Sequence, residues 1–204
     1  MEIRYCDILR DLHVALDEII IGDAQDDDFA ADMDTELRQA VNTAVEQLLA
    51  ELDDIHIDLK HDTSMTVTAS NGVSTIPVPS DMLRFISMKF NSWPSELREL
   101  TDPYSDKARM QACEFTRGTK WKPVAIMTTG ASSNKTITVY STDQSDTLTS
   151  FVYVPTPVIT NTEVTCALRS EAKKAVMYRA AGIFLETHRE ADGAAKYYEL
   201  SKVL

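Results

Sequence analysis

At 204 residues and 22.8 kDa the chain has room for one medium domain or two small ones, and 44% hydrophobic with 25% charged residues is the composition of a soluble globular protein. Thirty-two acidic against 20 basic residues give a net charge of −12, which excludes the basic footprint of a protein that grips phosphate but not one that lets DNA slide past. No apolar run approaches the roughly 18 residues of a membrane helix, the opening residues lack a signal-peptide pattern, and Cys6, Cys113 and Cys166 are too scattered for a disulfide framework or a metal knuckle. The expectation is a chain made and used in the cytosol, with no membrane contact.

Between Ile3 and Ile21, Ile8, Leu9, Leu12, Leu16, Ile19 and Ile20 fall at helical spacing, which predicts a first amphipathic helix closed by Gly22. The run from Asp23 to Asp28 then reads as a solvated acidic loop. From Asp34 the series Leu37, Val41, Ala44, Val45, Leu48, Leu52, Ile55, Leu59 keeps a 3.6-residue period and predicts a second helix of about six turns. Asn71-Gly72 lies between two alternating runs and predicts a hairpin, which Pro77 and Pro79 must end because neither can donate to a ladder. Ser80 or Asp81 is placed to cap one turn, and Phe85 to Phe90 alternates as a strand with Ile86, Met88 and Phe90 on one face. A short helix is expected near Ser105 to Cys113. Further strands are expected from Lys122, over Thr136 to Tyr140, and over Leu148 to Val154, with residues 131–134 as a loop. Five or six short strands with no crossover helix predict an antiparallel sandwich or barrel.

After Pro155 and Pro157 the chain turns helical from Leu168. Ala175 to Leu185 is apolar nearly all round apart from Arg179, which predicts burial on several sides, and Gly182 inside it predicts close approach of another backbone. Glu186 to Glu190 with Gly193 reads as a surface passage or kink, and Tyr197, Tyr198, Leu200, Val203 and Leu204 as a last amphipathic stretch. The fold class is therefore α+β. Residues 1–62 form an N-terminal helical part, 63–163 an inserted antiparallel β domain, and 164–204 a C-terminal helical part packing with the first into a small bundle.

Candidate chemistry is sparse. His56, Asp58, His61 and Asp62 combine imidazoles and carboxylates able to share a divalent ion, as a metal-dependent hydrolase would require, but a five-residue spacing puts the two histidines on different faces of a continuing helix. The acidic run Asp23 to Asp34 lacks the central glycine and terminal glutamate of a calcium loop. No nucleophile elbow, phosphate cradle or HExxH is present, so neither a catalytic residue nor a cofactor is expected. Trp93, Trp121 and Tyr197-Tyr198 are of the residue types that dominate interfaces, but as single residues they fit a core equally well; a monomeric adaptor module that binds a peptide with its β block is a further alternative.

The order of segments resembles the head-to-tail adaptor proteins of tailed bacteriophages, of the tail tubular protein A type. The resemblance rests on residues Asp7 to Arg10 in an opening helix, a second long helix, Ile76 to Phe85, Leu97 to Leu100, Lys122 to Met127, Ile137 to Tyr140, and the strand end Tyr153 to Pro155 before an apolar C-terminal helix. It implies a non-catalytic virion protein of the neck between capsid and tail, assembled in the host cytoplasm. It further implies a closed ring, commonly of twelve copies, bound to the portal on one side and to tail or a second connector ring on the other, around a channel that DNA crosses without specific binding. Val176, Arg179, Ile183, Phe184, Tyr197 and Tyr198 are the expected subunit or portal interface.

Overall fold

The computed structural model describes residues 1–17, 27–129 and 135–202. In chain order the elements are β1 (Glu2–Arg4), α1 (Tyr5–Asp17), α2 (Asp27–Glu51), β2 (Lys60–His61), β3 (Thr68–Ser70), β4 (Val73–Pro77), β5 (Met82–Phe90), α3 (Asp106–Met110), β6 (Ala125–Thr129), β7 (Lys135–Val139), β8 (Leu148–Pro155), β9 (Val158–Ile159), β10 (Glu163–Thr165), α4 (Lys173–Thr187) and α5 (Ala191–Ser201). Helices and antiparallel sheets together make an α+β protein. The chain divides into two compact units, Met1–Asp58 with Thr156–Leu204, and Leu59–Pro155.

In the helical unit α4 packs against α5, α2 and α1. Its contact face is built from small residues, Ala175, Ala180, Ala181 and Gly182, all buried, which lets neighbouring helices approach closely. Opposite them α1 supplies Ile8, Leu12 and Leu16, and α2 supplies Leu37, Val41, Val45 and Leu48. Strands β9 and β10 belong to this unit rather than to the β block, because β10 pairs with β1 in the antiparallel order β1-β10-β9. Ile3 is thus not helical. It sits opposite Val164 with Glu2 and Arg4 exposed on either side, the period-two pattern of a strand.

Helix α2 is displaced from its expected span at both ends. It starts at Asp27, so Asp27 to Asp34 is helix rather than loop, in keeping with the preference of a positive helix end for acidic sequence. It stops at Glu51. The residues Asp53 and Asp54 would sit at the negative pole, and the chain instead makes a single 3₁₀ turn that leaves Ile55 exposed. Ile57 then extends, buried, in a bridge to Leu168. The expected stretch from Glu18 to Asp26, including Gly22 and the first part of the acidic loop, lies outside the described residues, as do residues 130–134 and Val203 and Leu204.

The β unit holds two antiparallel sheets, β2-β8-β5 and β3-β4-β7-β6. Both contribute to one core, Met88, Phe90, Leu148, Phe151 and Tyr153 from the first, Ile76, Ala125, Ile137 and Val139 from the second. That shared core makes the unit a sandwich. Asn71 (φ 51°) and Gly72 (φ 76°) form the expected two-residue hairpin turn between Ser70 and Val73. Past Pro77 the Met82 N–H bonds the Pro79 carbonyl at 3.1 Å in a plain turn, with no helix. The expected alternation in β5 is broken by a register shift between Phe85 and Ser87, so that Phe85, Met88 and Phe90 face the core while Ile86 takes the bulge.

Candidate functional site

Arg179 organises the helical unit. Its guanidinium donates to Glu51 Oε2 (2.8 Å) and Oε1 (3.3 Å), to Gln47 Oε1 (3.2 Å) and to Ser201 Oγ (3.2 Å), and it lies 5.7 Å from the centre of the Tyr198 ring. The planar fork of arginine can serve α2 and α5 at once, which a lysine cannot. Tyr198 donates to Glu186 at 2.6 Å; burial, and then that carboxylate, push its hydroxyl up to about 12. Tyr197 donates to the Ala15 carbonyl at 2.7 Å. Val176, Phe184 and Tyr197 are buried, Ile183, Tyr198 and Arg179 half-buried. The structure therefore places all six expected interface residues in the packing of their own unit.

His56, Asp58, His61 and Asp62 do not assemble. His56 Nδ1 lies 3.4 Å from Glu171 Oε1, Asp58 accepts from Arg169 at 3.2 Å, and Asp62 accepts from the Ser64 hydroxyl and N–H. His61 stands exposed on β2. Among the described residues no group of three or more His, Cys, Asp or Glu is placed to hold a metal ion. His188, for which the sequence names no partner, lies 3.0 Å from Glu36 Oε2.

In the β unit, Asp81 accepts from Lys60 Nζ at 2.7 Å and from the Tyr153 hydroxyl at 3.0 Å. The Lys60 ammonium holds the Asp81 carboxyl below its usual range, and Asp81 in turn raises Lys60. This ties β2 to the turn before β5.

The connection from β5 to β6 carries the surface that stands apart. Tyr104 is 85% exposed, Phe115 97% and Trp121 69%, with Met110 also exposed; every exposed large apolar side chain among the described residues of the β unit lies between residues 104 and 121 except Leu83. The excursion is nevertheless well held. Ser105 caps α3 by accepting from the Ala108 N–H, and buried Gln111 donates to the Lys107 carbonyl at 2.8 Å and accepts from the Gly118 N–H at 2.8 Å. Arg117 donates back to the Gln111 carbonyl at 3.0 Å. A side chain at Gly118 would meet Val124 N at 2.9 Å, so only glycine fits the approach to the strand. Polar bonds inside the loop thus fix it while its large apolar side chains point to solvent. Trp93, by contrast, is core: it packs on Phe90 and donates to the Ser141 carbonyl at 3.0 Å. Of the two tryptophans only Trp121 is available for recognition. The signal in the sequence was local charge, since residues 103–122 carry five basic and two acidic side chains in a chain of net −12.

A helical unit is thus interrupted in sequence by a β sandwich that carries a well-held loop with exposed aromatic side chains. The family model described as SU10 adaptor protein matches residues 9–201, nearly the whole chain, and the chain belongs to that family of bacteriophage head-to-tail adaptors. No curated protein matches it. Among the described residues no helix is long and apolar enough to cross a membrane.

Proposed function

We propose that this adaptor is a subunit of a closed ring, of twelve copies, that joins the portal to the tail or to a second connector ring in the virion neck, after assembly in the host cytoplasm. The observation that supports this most is the family match over residues 9–201, which spans both units rather than one. A ring needs one pair of complementary patches repeated by rotation, and an ordered loop with outward aromatics supplies one such patch. The net charge of −12 suits a channel wall that DNA passes without adhering, because repulsion keeps phosphate from binding. Cryo-electron microscopy of virions tests the reading. Density for this fold as a ring between portal and tail is the expected result; a neck that contains the portal and lacks this chain refutes it.

A further inference from the structure

We propose that the excursion at residues 104–122 of one copy docks on the acidic C-terminal end of α2 of the next copy, an inference that rests on the ring reading. The two units differ sharply in charge. The helical unit has twenty-three acidic and ten basic side chains, net −13, and the β unit nine and ten, net +1. Within the β unit the excursion concentrates the positive charge, with exposed Lys107, Arg109, Lys120 and Lys122 around the exposed Tyr104, Phe115 and Trp121.

The end of α2 has the opposite character. Exposed Asp53 and Asp54 lie just past the negative pole of a 25-residue helix whose last turn has no basic residue of its own, and exposed Glu46 lies a turn before that end. Acidic groups just past that end face the negative pole of the helix dipole unfavourably, and cations brought by a partner reverse the sign. At the same helix end Glu51 bonds Arg179. Ile55, 67% exposed, stands beside these carboxylates as an apolar anchor in an acidic rim, complementary to aromatic anchors in a basic rim. Because Gln111, Arg117 and Gly118 already order the loop, docking costs little further chain entropy. The contact joins two different patches, so it is head-to-tail and can close into a ring.

Two variants of the full chain test this. One carries Lys107→Glu and Lys120→Glu; the other carries Glu46→Lys and Asp53→Lys. All four positions are exposed, and a wild-type circular dichroism melt verifies each fold; Phe115→Ser, at a side chain touching almost nothing, serves as a third variant that leaves charge unchanged. Native mass spectrometry and sedimentation at low salt are expected to show concentration-dependent oligomers of the wild type that weaken as salt rises. Each charge variant alone should associate about tenfold or more weakly, since like charges then meet. An equimolar mixture of the two should recover assembly, with the variants alternating, because each supplies the patch complementary to the other. Wild-type-like assembly of either variant alone, a mixture that stays monomeric, or a wild type that is monomeric at every concentration overturns the contact. None of these removes the ring reading, which the virion neck decides: a ring there with the excursion facing solvent keeps the ring and rejects the contact.

Discussion

Replacing Gly182 by alanine sets two effects of opposite sign against each other. Alanine favours a helix interior over glycine by about 1 kcal/mol. Against this, the added Cβ would lie 3.0 Å from both Cδ1 and Cε1 of Tyr198 and 3.4 Å from the Ala194 carbonyl, where carbon pairs prefer about 3.5–4 Å. The ring cannot swing away freely, because its hydroxyl is bonded to Glu186 at 2.6 Å and its face receives Arg179. Overpacking of this kind costs about 1–3 kcal/mol, so the overlap wins and the variant should lose about 1 kcal/mol. In a Tyr198→Ala background the obstacle is gone and the same change should stabilise by up to about 1 kcal/mol. The sign reversal, an interaction energy of about 2 kcal/mol, is read from urea denaturation followed by far-UV circular dichroism, since both tryptophans lie in the β unit and report little on the helices. A higher midpoint for Gly182→Ala in the wild-type background would refute the close approach.

Arg179→Lys keeps the charge but loses the fork, and should destabilise the helical unit by about 1–3 kcal/mol, measured in the same denaturation; unchanged stability with lost assembly would instead assign the guanidinium to a partner. Asp81→Asn should cost about 1 kcal/mol at neutral pH, a modest figure because the Asp81 side chain is 39% exposed and water screens its pair with Lys60. The folded carboxyl titrates below its unfolded value of about 3.9, so its contribution is complete above that pH and lost as pH falls through the lower folded value. Urea midpoints of the two proteins should accordingly converge as the pH falls below about 3.9; a gap that widens with acid would contradict the assignment.

The elements most legible in the sequence were those whose cause is local. Asn71-Gly72 needs positive φ at both positions and has it, Pro77 ends β4, Ser105 caps α3, and the apolar circumference of Ala175 to Leu185 has no exposed residue. What escaped was set at a distance. Nothing near Ile3 announces Val164 as its strand partner, and nothing before Ile57 announces the bridge to Leu168 that draws the chain out of helix. Apolar periodicity alone carries α2 through Asp53 and Asp54 to Ile55 and Leu59, whereas the unfavourable charge at the helix end stops it at Glu51. The recognition surface was half legible. Trp121 was a candidate on residue type, yet Trp93 was an equal one, and only the core around Phe90 separates them.

That separation alters the physical case for assembly. A wide apolar stripe on α4 argues for neighbouring subunits only as far as the chain's own helices leave it uncovered: α1, α2 and α5 bury seven of the eleven residues from Ala175 to Leu185 in one copy and leave Met177, Tyr178, Arg179 and Ile183 half-buried. The proposed association would then draw mostly on what lies outside that stripe. One source is the aromatic excursion, and the other is the imbalance of −13 on the helical unit against +1 on the β unit. Two copies related by a two-fold axis through their helical units would bring like charges together, at a cost that grows with the area of contact. A rotation that sets the β unit of one copy against the helical unit of the next removes that repulsion at every junction. Charge asymmetry within the chain thus favours the heterologous contact that rings require over the isologous one that dimers use.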